Sequence, residues 1–157
     1  MFLLILDKNP DKSAELVPDR LKFKQMLELG QLICSAGISN VFKPIKQGKE
    51  LQVWIKNNKN WIYWYMMFLF NYCINHLNLK FETIYKLKEI IRDLHNSIDI
   101  TIQEQYPKNA IFRYKQGYKS QYNTNSELPI DIAVKEYRKY VKWKEKQYDL
   151  RRIVEKV

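Results

Sequence analysis

Between Trp61 and Ile74 the chain reads WIYWYMMFLFNYCI, and Asn71 is its only clearly polar member. A stretch this apolar has to be hidden, and its length decides how. Crossing a bilayer takes about 20 residues, so fourteen are too few for a membrane span. The run reads as a core helix buried all round. A membrane-surface or partner-binding helix is the other use of such a segment.

The rest of the chain supplies the cover. Pro18 and Asp19 stand before apolar positions Phe23, Met26, Leu27, Ile33 and Cys34 at helical spacing, and Gly37 closes the pattern. This predicts a helix from Asp19 to Ala36 with Asp19 as N-cap. Gly37 to Gly48 is loop, and Glu50 to Lys56 is a short amphipathic piece. Phe81 to Asn96 is a further helix, with Ile84, Leu87, Ile91 and Leu94 on one side. The last helix runs from about Asp131 to Glu155, its start set by Pro129 and its apolar stripe formed by Ala133, Val134, Tyr137, Val141 and Tyr148. Asp99 to Leu128 has no sustained period and reads as mostly loop, with a short strand at Ala110 to Tyr114. Met1 to Leu6 is apolar but stops at Asp7, which suits a buried strand or extended segment. No internal repeat interrupts the 157 residues. The expectation is one domain, 1–157, mainly α, with four or five helices around the aromatic-rich helix and a small β element.

Charge narrows the function. Lys and Arg number 27 against 17 Asp and Glu, a formal +10, which points to a polyanionic partner. With only 4 glycines and no G-x-G-x-x-G or G-K-[ST], a Gly-rich phosphate loop is excluded. Two cysteines without a secretory leader fit a reduced, intracellular chain in a host cytoplasm. Lysine, isoleucine, asparagine and tyrosine are abundant, as AT-rich genomes, those of many viruses included, encode them.

The charge is concentrated late. From Tyr106 onward there are 13 basic and 6 acidic residues. In Tyr106 to Ser126, Lys108, Arg113, Lys115 and Lys119 alternate with Tyr106, Phe112, Tyr114, Tyr118 and Tyr122, and no acid intervenes. Cations can meet phosphates there while rings stack on bases, or the tyrosines pack on the domain. On the last helix Lys135, Arg138, Lys139, Lys142 and Lys146 share a face, with Glu136, Glu145 and Asp149 off it. This reads as a phosphate-tracking face with little sequence preference, a solvated face being the bland alternative.

Histidine and cysteine offer little chemistry: His76 and His95 lack metal-ligand spacing, His76 reads as a capping or interfacial residue in preference to a catalytic base, and no G-x-S-x-G occurs. Carboxylates remain. A glutamate on a phosphate-binding surface repels the ligand unless it serves as base or metal ligand. Glu28 lies on the first helix in a polar stripe with Arg20, Lys24 and Gln31. Glu82, Lys86, Glu89 and Asp93 share a face on the later helix, where Glu89 and Asp93 could hold Mg²⁺ jointly with a substrate phosphate. Surface ion pairs such as Glu82 with Lys86 or Lys24 with Glu28 are the alternative, worth a few tenths of a kcal/mol each.

The segment KNPDKSAELVPDRLKFKQMLELGQLI, Lys8 to Ile33, resembles small phage and large-virus proteins organised like the pyrimidine-dimer DNA glycosylases. In these an aspartate opens the first long helix and a glutamate nine residues later is catalytic; here the pair is Asp19 and Glu28. Phe42-Lys43-Pro44 to Trp54 and EYRKYVKWKEK, Glu136 to Lys146, are similar to later blocks of the same proteins. The resemblance implies an α-helical DNA-cleaving protein with Glu28 in the active site and Lys24, Arg138 and Lys142 near phosphate. Two departures stand out. Arg20 and Leu21 occupy the place of a helix-opening histidine, and the bulky Phe2 argues against an imine formed through residue 2, a role a buried lysine could take. As a whole the chain also resembles a double-stranded DNA nuclease of filamentous archaeal viruses, which favours hydrolysis.

The leading expectation is therefore a viral DNA nuclease acting through Glu28, Glu82 or Glu89, with DNA held by Lys24, Arg113, Lys115, Lys119, Lys135, Arg138, Lys139 and Lys142. A damage-specific glycosylase and lyase is second, and a non-enzymatic nucleic-acid-binding virion protein third.

Overall fold

The aromatic run folds into the central helix of the molecule. In the computed structural model, which describes residues 2–99 and 106–155 with side chains to residue 150, α4 spans Lys59–His76. It packs against α1 (Pro10–Leu16), α2 (Asp19–Ser35), α3 (Lys49–Asn57) and α5 (Phe81–Asn96). Trp61, Ile62, Tyr65, Met66, Leu69, Phe70 and Cys73 are buried, a stripe that repeats every four residues as a helix facing a core requires. The helix is not buried all round: Trp64 is 44% exposed, and Ile74 and Asn71 also face outward. Its neighbours cover one side and leave the other half open. No helix among the described residues is long and apolar enough to cross a membrane.

Segment 2–6 runs extended, without a strand partner, and its backbone is satisfied by side chains instead. Leu4 N donates to Gln25 Oε1 at 2.9 Å, and Gln25 Nε2 donates to the Phe2 carbonyl at 3.0 Å. Ser13 Oγ accepts from Leu6 N and donates to the Leu4 carbonyl, which also accepts from the Tyr65 hydroxyl. Arg138 Nε donates to the Leu6 carbonyl at 2.7 Å. The expected buried segment is present, with Leu3 to Leu6 in the core.

At Asn9 the side chain caps α1, with Pro10 in its first turn, a start the chemistry favours. Pro18, not Asp19, is the N-cap of α2, and no side-chain capping bond forms there. Asp19 is spent on Lys22 at 2.9 Å. Lys22 is buried and also donates to the Glu15 and Val17 carbonyls, so it closes the end of α1 with a side chain from α2. Gly37, at φ 82, ends α2, where Ile38 N reaches back to the Ile33 carbonyl in the 6→1 bond of a left-handed helix stop.

β1 (Asn109–Arg113) and β2 (Asn125–Pro129) form an antiparallel hairpin pairing Ile111 with Glu127. The strand at Ala110 to Tyr114 is thus present one residue earlier, and its partner lies where loop was expected. α6 (Ile130–Glu155) follows directly and packs on both strands. The Tyr137 hydroxyl donates to the Ile111 carbonyl. Six helices and a two-stranded sheet make the described residues mainly α with a small β element.

Candidate functional site

Residues on α2 spaced four apart share a face, so Lys24 and Glu28 point the same way, with Gln25 beside them holding the Phe2 backbone. Phe2 N sits 3.4 Å from Glu28 Oε2. From the other side α6 brings Lys144, and the three groups meet Phe2, Leu4 and Leu21 around a crevice of about 10 Å³. That is the size at which a cavity begins to hold one water molecule.

Lys144 is half-buried, its Nζ 5.5 Å from the Phe2 ring centre and 5.9 Å from that of Tyr140. Burial pulls its pKa below the ordinary lysine range; the charges of Lys24 and Lys115 add to the effect, and Glu28 opposes them. Lys144 also lines a neighbouring pocket of about 210 Å³ together with Lys115, Gln116, Trp143, Gln147 and Tyr148. Trp143 stacks on Tyr140 and meets the ring of Tyr118. Tyr148 carries the Arg20 guanidinium on its face at 4.7 Å, and Arg20 is fixed by Glu145. The Arg20–Glu145 pair thereby ties the start of α2 to the late turns of α6. Tyr140 is buried, and its hydroxyl has no hydrogen-bond partner among the described residues.

The three glutamates selected from the sequence part company here. Glu28 lines the crevice beside the basic helix. Glu82 is exposed and pairs with Lys86 at 3.0 Å, the ordinary surface pair. Glu89 lies with it on α5, which packs on α4 and α2, and neither lines the crevice. Asp93, the expected companion of Glu89, accepts from Ser39 Oγ at 2.7 Å. Among the described residues no three His, Cys, Asp or Glu side chains converge as a metal site.

The basic residues divide as well. Lys24, Lys115, Lys119, Lys135 and Lys142 are exposed. Arg138 is not free: it holds the Leu6 carbonyl and Asp7. Lys139 pairs with Glu136 at 3.5 Å, so the expected absence of pairing along the stripe is corrected at these two positions. Glu136, read as off the stripe, lies three residues before Lys139 on the same helix, and the pairing with Asp7 arises only because the N-terminal segment folds back. Arg113 is half-buried at the end of β1, its charge felt by Glu50 of α3. The ring-rich loop packs inward: Phe112 is buried, and Tyr114, Tyr118 and Tyr122 are half-buried in mutual ring contacts. Their stacking on bases gives way to packing on the domain, and Tyr106 alone of the five is exposed.

Sequence reasoning missed Lys144 and the pocket beside it. A signal existed in the i, i+3, i+4, i+8 spacing of Tyr140, Trp143, Lys144 and Tyr148, a buried to half-buried helix face with one polar member. A larger open cleft of about 560 Å³ lies between the α3–α4 junction and Tyr106 to Lys108; it holds none of the selected glutamates. Comparison with protein-family models, with curated proteins and with solved structures finds no match for this chain.

Proposed function

We propose that the protein is a DNA-cleaving enzyme that hydrolyses a phosphodiester bond of double-stranded DNA, with Glu28 as the base. One observation carries this reading: of the three candidate glutamates, Glu28 lines a water-sized crevice with Lys24 and Lys144, and Lys115 adjoins it. An anionic backbone is drawn to those lysines. Glu28 then takes a proton from a water in the crevice as its oxygen attacks phosphorus, and the lysines stabilise the charge gathering on the phosphoryl oxygens. Exposed Lys135 and Lys142 extend the positive track along α6. The likeness of Lys8 to Ile33 to the viral proteins organised like pyrimidine-dimer glycosylases supports the same glutamate. The Mg²⁺ expected at Glu89 with Asp93 does not fit this site, since Glu89 lies outside the lining of the crevice and Asp93 accepts from Ser39, and no step above depends on it.

A lyase reading is favoured by one feature, the half-buried Lys144 with its lowered pKa, since an amine more easily deprotonated is the better nucleophile toward a sugar aldehyde. The test is to incubate linear duplex with the wild type and with Glu28→Gln, Glu82→Gln and Glu89→Gln, followed by borohydride trapping on damaged duplex. Nicking lost only in Glu28→Gln, without a trapped adduct, is the expected result. A trapped adduct favours the lyase. Equal nicking by all four proteins removes Glu28 from the chemistry, and no nicking by any returns the protein to DNA binding alone.

A further inference from the structure

We propose that Lys144 is the general acid of the cleavage reaction, giving its ammonium proton to the oxygen that leaves phosphorus. The proposal rests on the hydrolytic reading above. Its geometry begins with the helix face that carries Lys144. Buried Tyr140 and half-buried Trp143 and Tyr148 share that face, and such a position on a helix ordinarily holds an apolar side chain. Lys144 is instead half-buried between the rings of Phe2 and Tyr140, which restrict where its amine can go. It lines both the crevice that holds Glu28 and the 210 Å³ pocket next to it. A phosphate drawn in by Lys24 and Lys115 therefore has the carboxylate on one side and this amine between the two spaces.

Lys144 also forms no ion pair within 4.0 Å among the described residues, although Arg20, Lys22, Arg138 and Lys139 each do. Glu28 and Lys144 face the same crevice without an ion pair between them; the crevice is sized for one water, and the phosphoryl group has its space in the adjoining pocket that Lys144 also lines. A free lysine holds its proton too tightly to be a good acid near neutrality, and enzymes correct this by burial and neighbouring cations. Here both are present: the groups facing the amine are Lys24 and Glu28 of α2, Lys115 beyond β1, and the Tyr140 and Tyr148 rings of α6 itself.

The step balances. Water gives a proton to the Glu28 carboxylate and its oxygen forms the new P–O bond. The P–O bond to the leaving sugar breaks, and the departing oxygen takes the proton from Lys144. Glu28 ends protonated and Lys144 neutral, and solvent returns the proton from one to the other.

The experiment uses the whole chain in single-turnover cleavage of two duplexes, one natural and one with sulfur replacing the leaving oxygen at the mapped cut. A thiolate leaves without a proton, so an acid is not needed there. Lys144→Ala and Lys144→Arg are expected to cut the natural duplex about 10²–10⁴-fold more slowly. On the sulfur duplex the loss should shrink to within about tenfold. Arginine keeps the charge but holds its proton too tightly, so it separates proton transfer from charge and is the variant safer for folding. Equal losses on both duplexes would make Lys144 a phosphate contact only, and full activity of Lys144→Arg on the natural duplex would also overturn the proposal. Borohydride trapping of DNA on Lys144 would overturn it in favour of an imine. A wild type that cuts neither duplex removes the hydrolytic reading itself, and the proposal with it.

Discussion

Gln25→Met is the substitution that most directly tests how the crevice is walled. Gln25 is 3% exposed, and its amide links α2 to both Leu4 N and the Phe2 carbonyl, beside the longer contact of Phe2 N with Glu28. Methionine keeps the volume and removes both hydrogen bonds. Leu4 N lies buried and is left unmatched, at about 1–3 kcal/mol, while the Phe2 carbonyl is near enough to solvent to rehydrate and costs about 0.5–1. The total is about 1.5–4 kcal/mol. For a chain of this size each kcal/mol moves Tm by about 2–4 °C, so the melting point should fall by roughly 3–16 °C. Urea unfolding gives the free energy, and amide hydrogen exchange reads Leu4 itself. Exchange at Leu4 should accelerate more than in the middle of α4. A loss below about 0.5 kcal/mol with Leu4 still protected would refute the claim that this amide holds the segment in place.

Other perturbations follow from the same contacts. Lys22→Met should cost about 2–4 kcal/mol, because the Glu15 and Val17 carbonyls lose a charged donor; a melt unchanged from wild type contradicts that role. The hydrogen bond from Lys22 holds the Asp19 carboxyl below its ordinary 3.8. A lowered carboxyl pKa stabilises the fold above 3.8 and loses its effect as pH falls through the folded value, so acid unfolding of wild type should steepen below about pH 3.8 and that extra steepness should vanish in Lys22→Met. Burial pushes the Cys73 thiol up to about 11, and both cysteines are buried and free. Thiol reagents at pH 8 should therefore label the urea-unfolded chain and spare the native one; rapid native labelling of Cys73 would contradict its burial. Lys142→Ala should reduce the salt dependence of DNA binding by about 0.9 in slope, and Lys139→Ala by less, because Glu136 already occupies Lys139; equal slopes would make that pairing irrelevant.

Much of this architecture is legible in the residues themselves. The helical spacing of Ile84, Leu87, Ile91 and Leu94 bounds α5 correctly, and Gly37 stops α2 as its left-handed backbone requires. Other features depend on contacts between distant segments. Seven residues are too few for a periodic signal, so α1 shows only through Asn9 and Pro10. β2 is weak because Asn125–Pro129 owes its strand to pairing with β1, not to an alternating pattern of its own. Trp64 is exposed on a helix whose sequence is apolar on every side, because burial is set by what packs against a residue. The same holds for the site. Glu28 and Lys24 are visible as a stripe on one helix, whereas Lys144 acquires its setting only when the segment at Phe2 and the late turns of α6 meet them. Arg138 and Lys139 look like free cations until Asp7 and Glu136 are placed beside them.

The central claim is that Glu28 removes the proton from the attacking water. Single-turnover cleavage of a linear duplex by Glu28→Gln, with DNA affinity and melting point measured on the same preparation, tests it most directly. The account predicts a rate about 10²–10⁴-fold below wild type, with unchanged melting and affinity equal or slightly tighter, since a negative charge has left a cationic crevice. A rate equal to wild type, in a protein that binds and melts normally, would contradict it.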